Sequence, residues 1–160
     1  MFKKVIRLIV SIAGVQLIGV FGSLFSIGEI DPWYNELVQP FFQPPGWIFG
    51  PVWITLYTLI GVVLFLLWQR TQKLRKRKEA RTLLFLFIIH LVFNAIWTPI
   101  FFGLHQIGFA LIILIIIVGS LAYLMYRFWS FDRKLTYLLL PYLVWVSFAT
   151  ILNCSLLILN

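Results

Sequence analysis

Five windows of this chain, Val5 to Ile27, Gly46 to Trp68, Thr82 to Phe102, Ile107 to Tyr126 and Leu135 to Ile158, are apolar over close to the roughly 20 residues that a bilayer-crossing helix needs. Hydrocarbon offers no water to backbone N–H and C=O groups, so such windows must satisfy their hydrogen bonds internally, as helices. With 62% apolar and 11% charged residues among 160, the chain also lacks the polar surface to cover a soluble globule. The expected fold is therefore an all-α membrane protein, a bundle of five transmembrane helices in a single domain spanning residues 1–160. Most connectors are short, which makes sequential helices antiparallel neighbours. Only residues 28–45 are long enough to fold back over the bundle and any pocket in it. The odd helix number and the lack of an internal repeat give no support to the paired-repeat plan of secondary transporters.

The 13 Lys and Arg residues fall into three groups: Lys3, Lys4 and Arg7; Arg70, Lys73, Arg75, Lys76, Arg77, Lys78 and Arg81; and Arg127, Arg133 and Lys134. Along a five-helix path all three lie on one side. The positive-inside rule then puts the N-terminus in the cytoplasm and the C-terminus outside, for a multi-pass protein expected in the cell membrane. The net charge of +8 is accounted for by topology and anionic headgroups, so nucleic acid is not expected as a partner; the lipid bilayer is. LRKRKEAR, residues 74–81, is expected to be a connector. Lys3, Lys4 and Arg7 before an apolar run resemble a secretory signal, but the run is too long and has no A-x-A-like cleavage site. Cys154 has no partner for a disulfide.

Proline inside a helix removes a backbone hydrogen bond and displaces the carbonyl four residues earlier. Pro51, Pro99 and Pro141 are expected to do this in the second, third and fifth helices. In lipid the freed carbonyls need protein or water, which suggests kinks facing a shared hollow; bending for packing alone is the other account. Gly19-x-x-x-Ser23 and Gly22-x-x-x-Ser26 in the first helix permit close helix approach, within the bundle or between copies.

The helix interiors hold no carboxylate pair for acid/base work and no charged relay. His90 and His105 are far apart and have no companion ligand at metal spacing, so no metal site is expected. Aromatic residues remain. His90, Asn94, Trp97 and Phe101 share one face of the third helix; Pro141, Trp145, Ala149 and Leu152 or Asn153 share one in the fifth; Trp53, Tyr57 and Gly61 form a stripe in the second. Trp33, Trp68 and Trp129, at window ends, suit an interfacial belt. Trp53, Trp97 and Trp145 lie deeper, on proline or asparagine faces. Asn94 and Asn153 can equally serve as hydrogen-bonding glue between helices.

QPFFQPPGWIFGPVWITLY, residues 39–57, concentrates Pro40, Pro44, Pro45 and Pro51 with Phe41, Phe42, Trp47, Phe49 and Trp53. Fixed φ and large rigid rings make a preorganised rim leading into the second helix. A cavity beneath it, lined by indole and phenyl rings, suits a flat, apolar, conjugated guest.

These residues resemble the TspO/MBR family of tryptophan-rich sensory proteins and translocator proteins. The likeness runs through Trp33-Tyr34, Pro40, Pro44-Pro45-Gly46-Trp47, Phe49-Gly50-Pro51-Val52-Trp53, Leu56-Tyr57, Asn94-Ala-Ile-Trp97, Pro99-Ile-Phe-Phe-Gly103, Gln106, Pro141-Tyr142-Leu143-Val144-Trp145, Phe148-Ala149-Thr150 and Leu152-Asn153. It implies a homodimeric five-helix bundle that binds tetrapyrroles such as protoporphyrin IX, a porphyrin, beneath the first loop, with no other cofactor required. It further implies that Trp53 and Trp145 occupy positions to which light-dependent porphyrin breakdown has been attributed. Trp47, Tyr57, Asn94, Trp97 and Ala149 match further pocket positions. Phe42 stands where the family often has tryptophan, keeping the apolar contact without an indole. Phe109 stands at a vertebrate tryptophan. Cys154 replaces the tyrosine of the cholesterol-recognition pattern and no cation follows it, so sterol recognition is not implied. The outer mouth carries Glu29, Asp31 and Glu36 and no Lys or Arg, so porphyrin propionates would turn to water, His105, Gln106 or backbone amides.

Three functions follow as expectations. The first is a sensor or sequestering receptor for porphyrin, with Trp53 and Trp145 against the ring. The second is an enzyme-like, light- and oxygen-dependent degradation of that ligand through the same indoles. The third is transport of porphyrin or another hydrophobic ligand.

Overall fold

A computed structural model describes residues 2–26, 33–73 and 77–160. Glu29, Asp31, Arg75 and Lys76, and with them the first part of the long loop, lie outside the described residues. Every regular element among the described residues is helical: α1 Phe2–Ser26, α2 Trp33–Glu36, α3 Phe49–Arg70, α4 Arg77–Thr98, α5 Ile107–Phe131 and α6 Arg133–Leu159. A 3-10 turn, Gly46–Ile48, leads into α3, and a π-helical turn, Pro99–Gly103, extends α4. Five of these helices are long and apolar enough to cross a membrane. The protein is an integral multi-pass membrane protein built as a five-helix bundle.

Within lipid there is no hydrophobic drive holding helix to helix, so close packing and interhelical hydrogen bonds carry the association. α1 packs mainly on α3 and touches α4, α5 pairs with α6, and α4 joins α3 to α5. The core is aliphatic and phenyl: Ile60, Val63, Leu67, Leu83, Phe87, Leu121, Phe128, Leu135 and Leu139 are all fully buried. α1 buries only Ser11, Val15 and Gly22, and presents Ile9, Leu17, Val20 and Leu24 outward, as a lipid-facing helix does. Its small residues serve the bundle itself. A Cβ at Gly19 would meet the Tyr57 ring at 2.6 Å, and one at Gly22 would meet Thr98 Oγ1 at 3.2 Å.

Two expectations about the connectors and prolines are revised. Arg77 to Arg81 is helix, the first turns of α4, because Arg, Lys, Glu and Ala are good helix formers and the helix continues past the hydrocarbon edge. Glu79 in that first turn suits the positive end of the helix dipole and lies 4.0 Å from Arg127. The prolines do not converge on a hollow. Pro51 falls in the first turn of α3, where a missing N–H costs little, and both Pro51 and Pro141 are exposed. At Pro99 the helix widens into the π turn, so that the Pro99 carbonyl accepts from Leu104 N at 2.9 Å and the Ile100 carbonyl from Gln106 N at 3.1 Å. The π turn thus gives the last carbonyls of this span, Pro99 and Ile100, backbone donors of their own.

The two ends of the bundle differ. At one end Arg7 covers the Trp68 ring at 5.3 Å, Arg133 covers Trp129 at 4.8 Å, and Arg70 pairs with Asp132. Asp132 also caps α6 by accepting from Lys134 N. At the other end the Trp33–Ile48 segment folds over the helix termini. Gln39 donates to the Tyr34 carbonyl and Gln43 to the Tyr34 hydroxyl, while the Asn160 side chain accepts from Val38 N at 2.9 Å and donates to Val38 O. Burial pushes the Tyr34 phenol above its ordinary pKa, partly offset by the Gln43 hydrogen bond.

Candidate ligand pocket

Beneath this folded segment, α3, α4, α5 and α6 enclose a small cavity lined by Trp53, Asn94, Trp97, Leu114, Ile117, Val146 and Ala149. Its walls are indole and aliphatic carbon with one carboxamide. Four of the site residues expected from sequence, Trp53, Asn94, Trp97 and Ala149, therefore meet at one point from three helices. The periodicities explain this: Asn94 and Trp97 lie three apart on α4, and Ala149 lies three after Val146 on α6, so each pair shares a face.

The other four surround that point without lining it. Tyr57 stacks obliquely on Trp53, ring centroids 5.0 Å apart, and reaches Asn94 with its hydroxyl. Trp145 packs on Phe49 and Phe148, each at 5.7 Å. Phe42 drops from the loop onto Phe148 at 6.3 Å, and Phe148 in turn packs on Trp145. Trp47 is 75% exposed at the rim. Trp53 and Trp145 are thus not equivalent: one lines the cavity, the other stands behind it under the loop.

The cavity volume is about 10 Å³, near the minimum for a single water. Ring packing closes it. Trp97 stacks on Phe101 at 5.2 Å, and Phe101 is held from above by Trp33 and Tyr34. A larger guest enters only if these rings and the loop that rests on them move. A second, shallower depression of about 340 Å³ lies between Val38–Phe41 and Ser155, Ile158 and Leu159, at the loop end of α6.

A polar chain runs behind the cavity through otherwise apolar packing. Tyr57 OH donates to Asn94 Oδ1 at 3.0 Å, and Asn94 Nδ2 donates to Tyr142 OH at 2.8 Å. His90 Nε2 lies 3.1 Å from Tyr142 OH, and His90 Nδ1 lies 2.8 Å from Ser120 Oγ. Four helices are joined by this chain, and Asn94, His90, Tyr57 and Tyr142 are all buried. By contrast the Trp97 indole nitrogen is buried without a hydrogen-bond partner, a donor on the wall of the cavity. His105 is remote from His90, stacked on Trp33 at 4.2 Å with φ of 54°.

Sequence reasoning missed Tyr142 and Ser120. The expected stripe of α6 was right at Ala149, Leu152 and Asn153 and one residue out of phase at Pro141 and Trp145, where the inward positions are Tyr142 and Val146. Tyr142 and Asn153, eleven apart, carry that face's signal. Ser120 is the lone hydroxyl among residues 107–122, and an isolated polar residue at that depth needs a partner.

Residues 11–159 match the model of the TspO/MBR family. The chain belongs to the TspO/MBR family. It is 37% identical to the tryptophan-rich protein TspO of Archaeoglobus fulgidus over 157 residues, 98% of this chain and 99% of that protein. It is 38% identical to the human translocator protein over 132 residues, covering 82% of this chain and 77% of the relative. Similarity to protein CrtK of Rhodobacter capsulatus is 34% over 143 residues, 89% and 85% of the two chains. The TspO/MBR match takes in at least part of each of the five spanning helices and every residue of the cavity.

Proposed function

We propose that this TspO/MBR protein is a membrane receptor or sensor that takes a tetrapyrrole into the aromatic cavity, with the N-terminal, arginine-rich end of the bundle in the cytoplasm and the loop end outside. The observation that carries the reading is the convergence of Trp53, Trp97, Asn94 and Ala149 on one cavity under a loop held by Phe42, Tyr34 and Asn160. Indole walls give a planar conjugated ring large contact area, and the single amide limits polar cost. Ring burial supplies the affinity at roughly 25 cal/mol per Å², less the work of parting Trp97 from Phe101 and lifting the loop. The cationic side chains crowd the opposite end, so propionates of a porphyrin face water at the loop end. Homodimerisation in the cell membrane belongs to the same reading.

The test is a titration of the purified protein in detergent with protoporphyrin IX, first in darkness and then under light with oxygen. Saturable tryptophan quenching is expected for wild type, weakened more by Trp53→Phe than by Trp145→Phe, because only the first lines the cavity. Absence of saturable quenching would sink the tetrapyrrole assignment. A light-dependent product from wild type that Trp53→Phe abolishes would select degradation of the ligand as the activity, a reading favoured by the direct contact of Trp53 with both the cavity and Tyr57.

A further inference from the structure

The polar chain behind the cavity has a direction, and that direction makes its two tyrosines chemically unlike. Ser120 Oγ has one proton and gives it to the Ile117 carbonyl at 3.1 Å. We assign it as acceptor from His90, with the imidazole proton on Nδ1, because this is the tautomer that leaves the Tyr142 O–H an acceptor. His90 Nε2 then carries a lone pair, so Tyr142 O–H donates to it, and the Tyr142 oxygen is left to accept from Asn94. Tyr57, in turn, gives its proton to the Asn94 amide oxygen. One buried tyrosine thus donates to an imidazole nitrogen, whose lone pair can take up a proton, and the other to a carboxamide oxygen, a far weaker proton acceptor.

A phenol that loses an electron becomes a strong acid, so it is readily oxidised only where its proton has somewhere to go. We propose that Tyr142 and His90 form a redox-active pair that receives an oxidising equivalent from the cavity. The oxidant is a one-electron acceptor of the aromatic class, either a photoexcited conjugated guest or an indole radical cation formed at Trp53. Tyr142 gives up one electron and the oxidant gains it. The Tyr142 O–H bond breaks, an N–H bond forms at His90 Nε2, and the products are a neutral tyrosyl radical and an imidazolium. That imidazolium is held by the Tyr142 oxygen on one side and Ser120 Oγ on the other. The path from the cavity is short: Asn94, on its wall, donates directly to Tyr142. Tyr57 lies nearer Trp53 but has no base, so oxidation passes it by. The pair protects the indoles lining the cavity from lasting oxidation, whichever aromatic guest the cavity takes.

The experiment uses the full chain in detergent with the exposed Tyr123, Tyr126 and Tyr137 changed to Phe, a detergent-partitioning ruthenium tris-bipyridyl photo-oxidant and a sacrificial acceptor. Freeze-quenched samples are read by electron paramagnetic resonance. No porphyrin is present, so failure here is distinct from failure of the tetrapyrrole reading. A tyrosyl radical is expected that survives Tyr57→Phe and vanishes in Tyr142→Phe. His90→Gln keeps a hydrogen-bonding side chain but no base, and is expected to slow radical formation on the order of 100-fold, the lower end of what a positioned proton acceptor contributes. In the unmodified pair the radical should couple to an exchangeable proton on imidazole nitrogen, a readout that needs no substitution at either residue. Persistence of the full signal in Tyr142→Phe, an undiminished rate in His90→Gln, or a radical without that proton coupling would each overturn the proposal.

Discussion

Gly61 of α3 lies so close to α1 that a Cβ on it would stand 2.6 Å from the Ile12 Cα. The contact is to backbone, which cannot swing aside as a side-chain tip can. Gly61→Ala should therefore push α1 off α3 and cost about 1–3 kcal/mol, the range for overpacking. Gly14→Ala, on α1 with nothing within 4 Å of the added carbon, should be neutral or slightly stabilising, since alanine is the better helix former. Thermal unfolding of the two variants in the same detergent makes the comparison; equal melting temperatures would refute it.

Asn94→Leu removes the centre of the polar chain and leaves the Tyr57 and Tyr142 hydroxyls each short of a partner. A buried orphan costs about 1–3 kcal/mol, whereas single interhelical hydrogen bonds average only about 0.6 kcal/mol. The loss should therefore exceed that of one ordinary bond. The double variant Asn94→Leu, Tyr57→Phe, which removes the stranded donor as well and leaves Tyr142 on His90, should recover part of it. Failure of the double variant to regain stability would locate the role of Asn94 elsewhere.

Asp132 does two things in one residue: it pairs with Arg70 and caps α6 through Lys134 N. Asp132→Asn keeps a capping oxygen and loses the ion pair; Asp132→Ala loses both. The cap alone is worth about 1 kcal/mol, so Ala should be the less stable by about that amount. Salt should weaken wild type and leave the Asn variant nearly unmoved, since screening acts only on the charged pair. Unfolding in low and high salt separates the two contributions.

The Tyr34 phenol holds its proton more tightly folded than unfolded. The unfolded chain therefore loses that proton first, and stability, full below the ordinary tyrosine pKa of 10.0, falls as pH rises above it. Tyr34→Phe should flatten this alkaline limb while leaving stability at neutral pH close to wild type, less the Gln43 hydrogen bond. Melting temperatures measured between pH 8 and pH 11 would show it; an unchanged alkaline slope would mean that the loop has already come away.

The helices were legible because the bilayer admits so few alternatives to them: length and polarity suffice to mark Ile107 to Tyr126 as a span. The face of α4 was legible for the same kind of reason, since His90, Asn94 and Trp97 are polar or amphipathic exceptions at helical spacing. The first half of α6 was misread by one residue because Pro141 and Trp145 stand out chemically, whereas Tyr142 looks ordinary beside them. What decides burial there is how α6 packs on α5 and α3, and no local pattern encodes that. The prolines misled for a related reason: a missing N–H shows in sequence, but the repair, a π turn at Pro99 or a first-turn position at Pro51, depends on backbone geometry. The basic run at 77–81 looked like a connector because charge marks the edge of hydrocarbon, not the end of a helix.

A cavity of about 10 Å³ walled by membrane-spanning helices makes the bilayer a party to whatever binds there. Room for a guest must come from parting helices whose outer faces push against acyl chains, so occupancy is work done on the lipid as well as on the protein. Thick or tightly ordered membranes would oppose that work and loose ones would yield to it. The state of the surrounding lipid is then written into the occupancy of the site, with no lipid needing to touch the ligand.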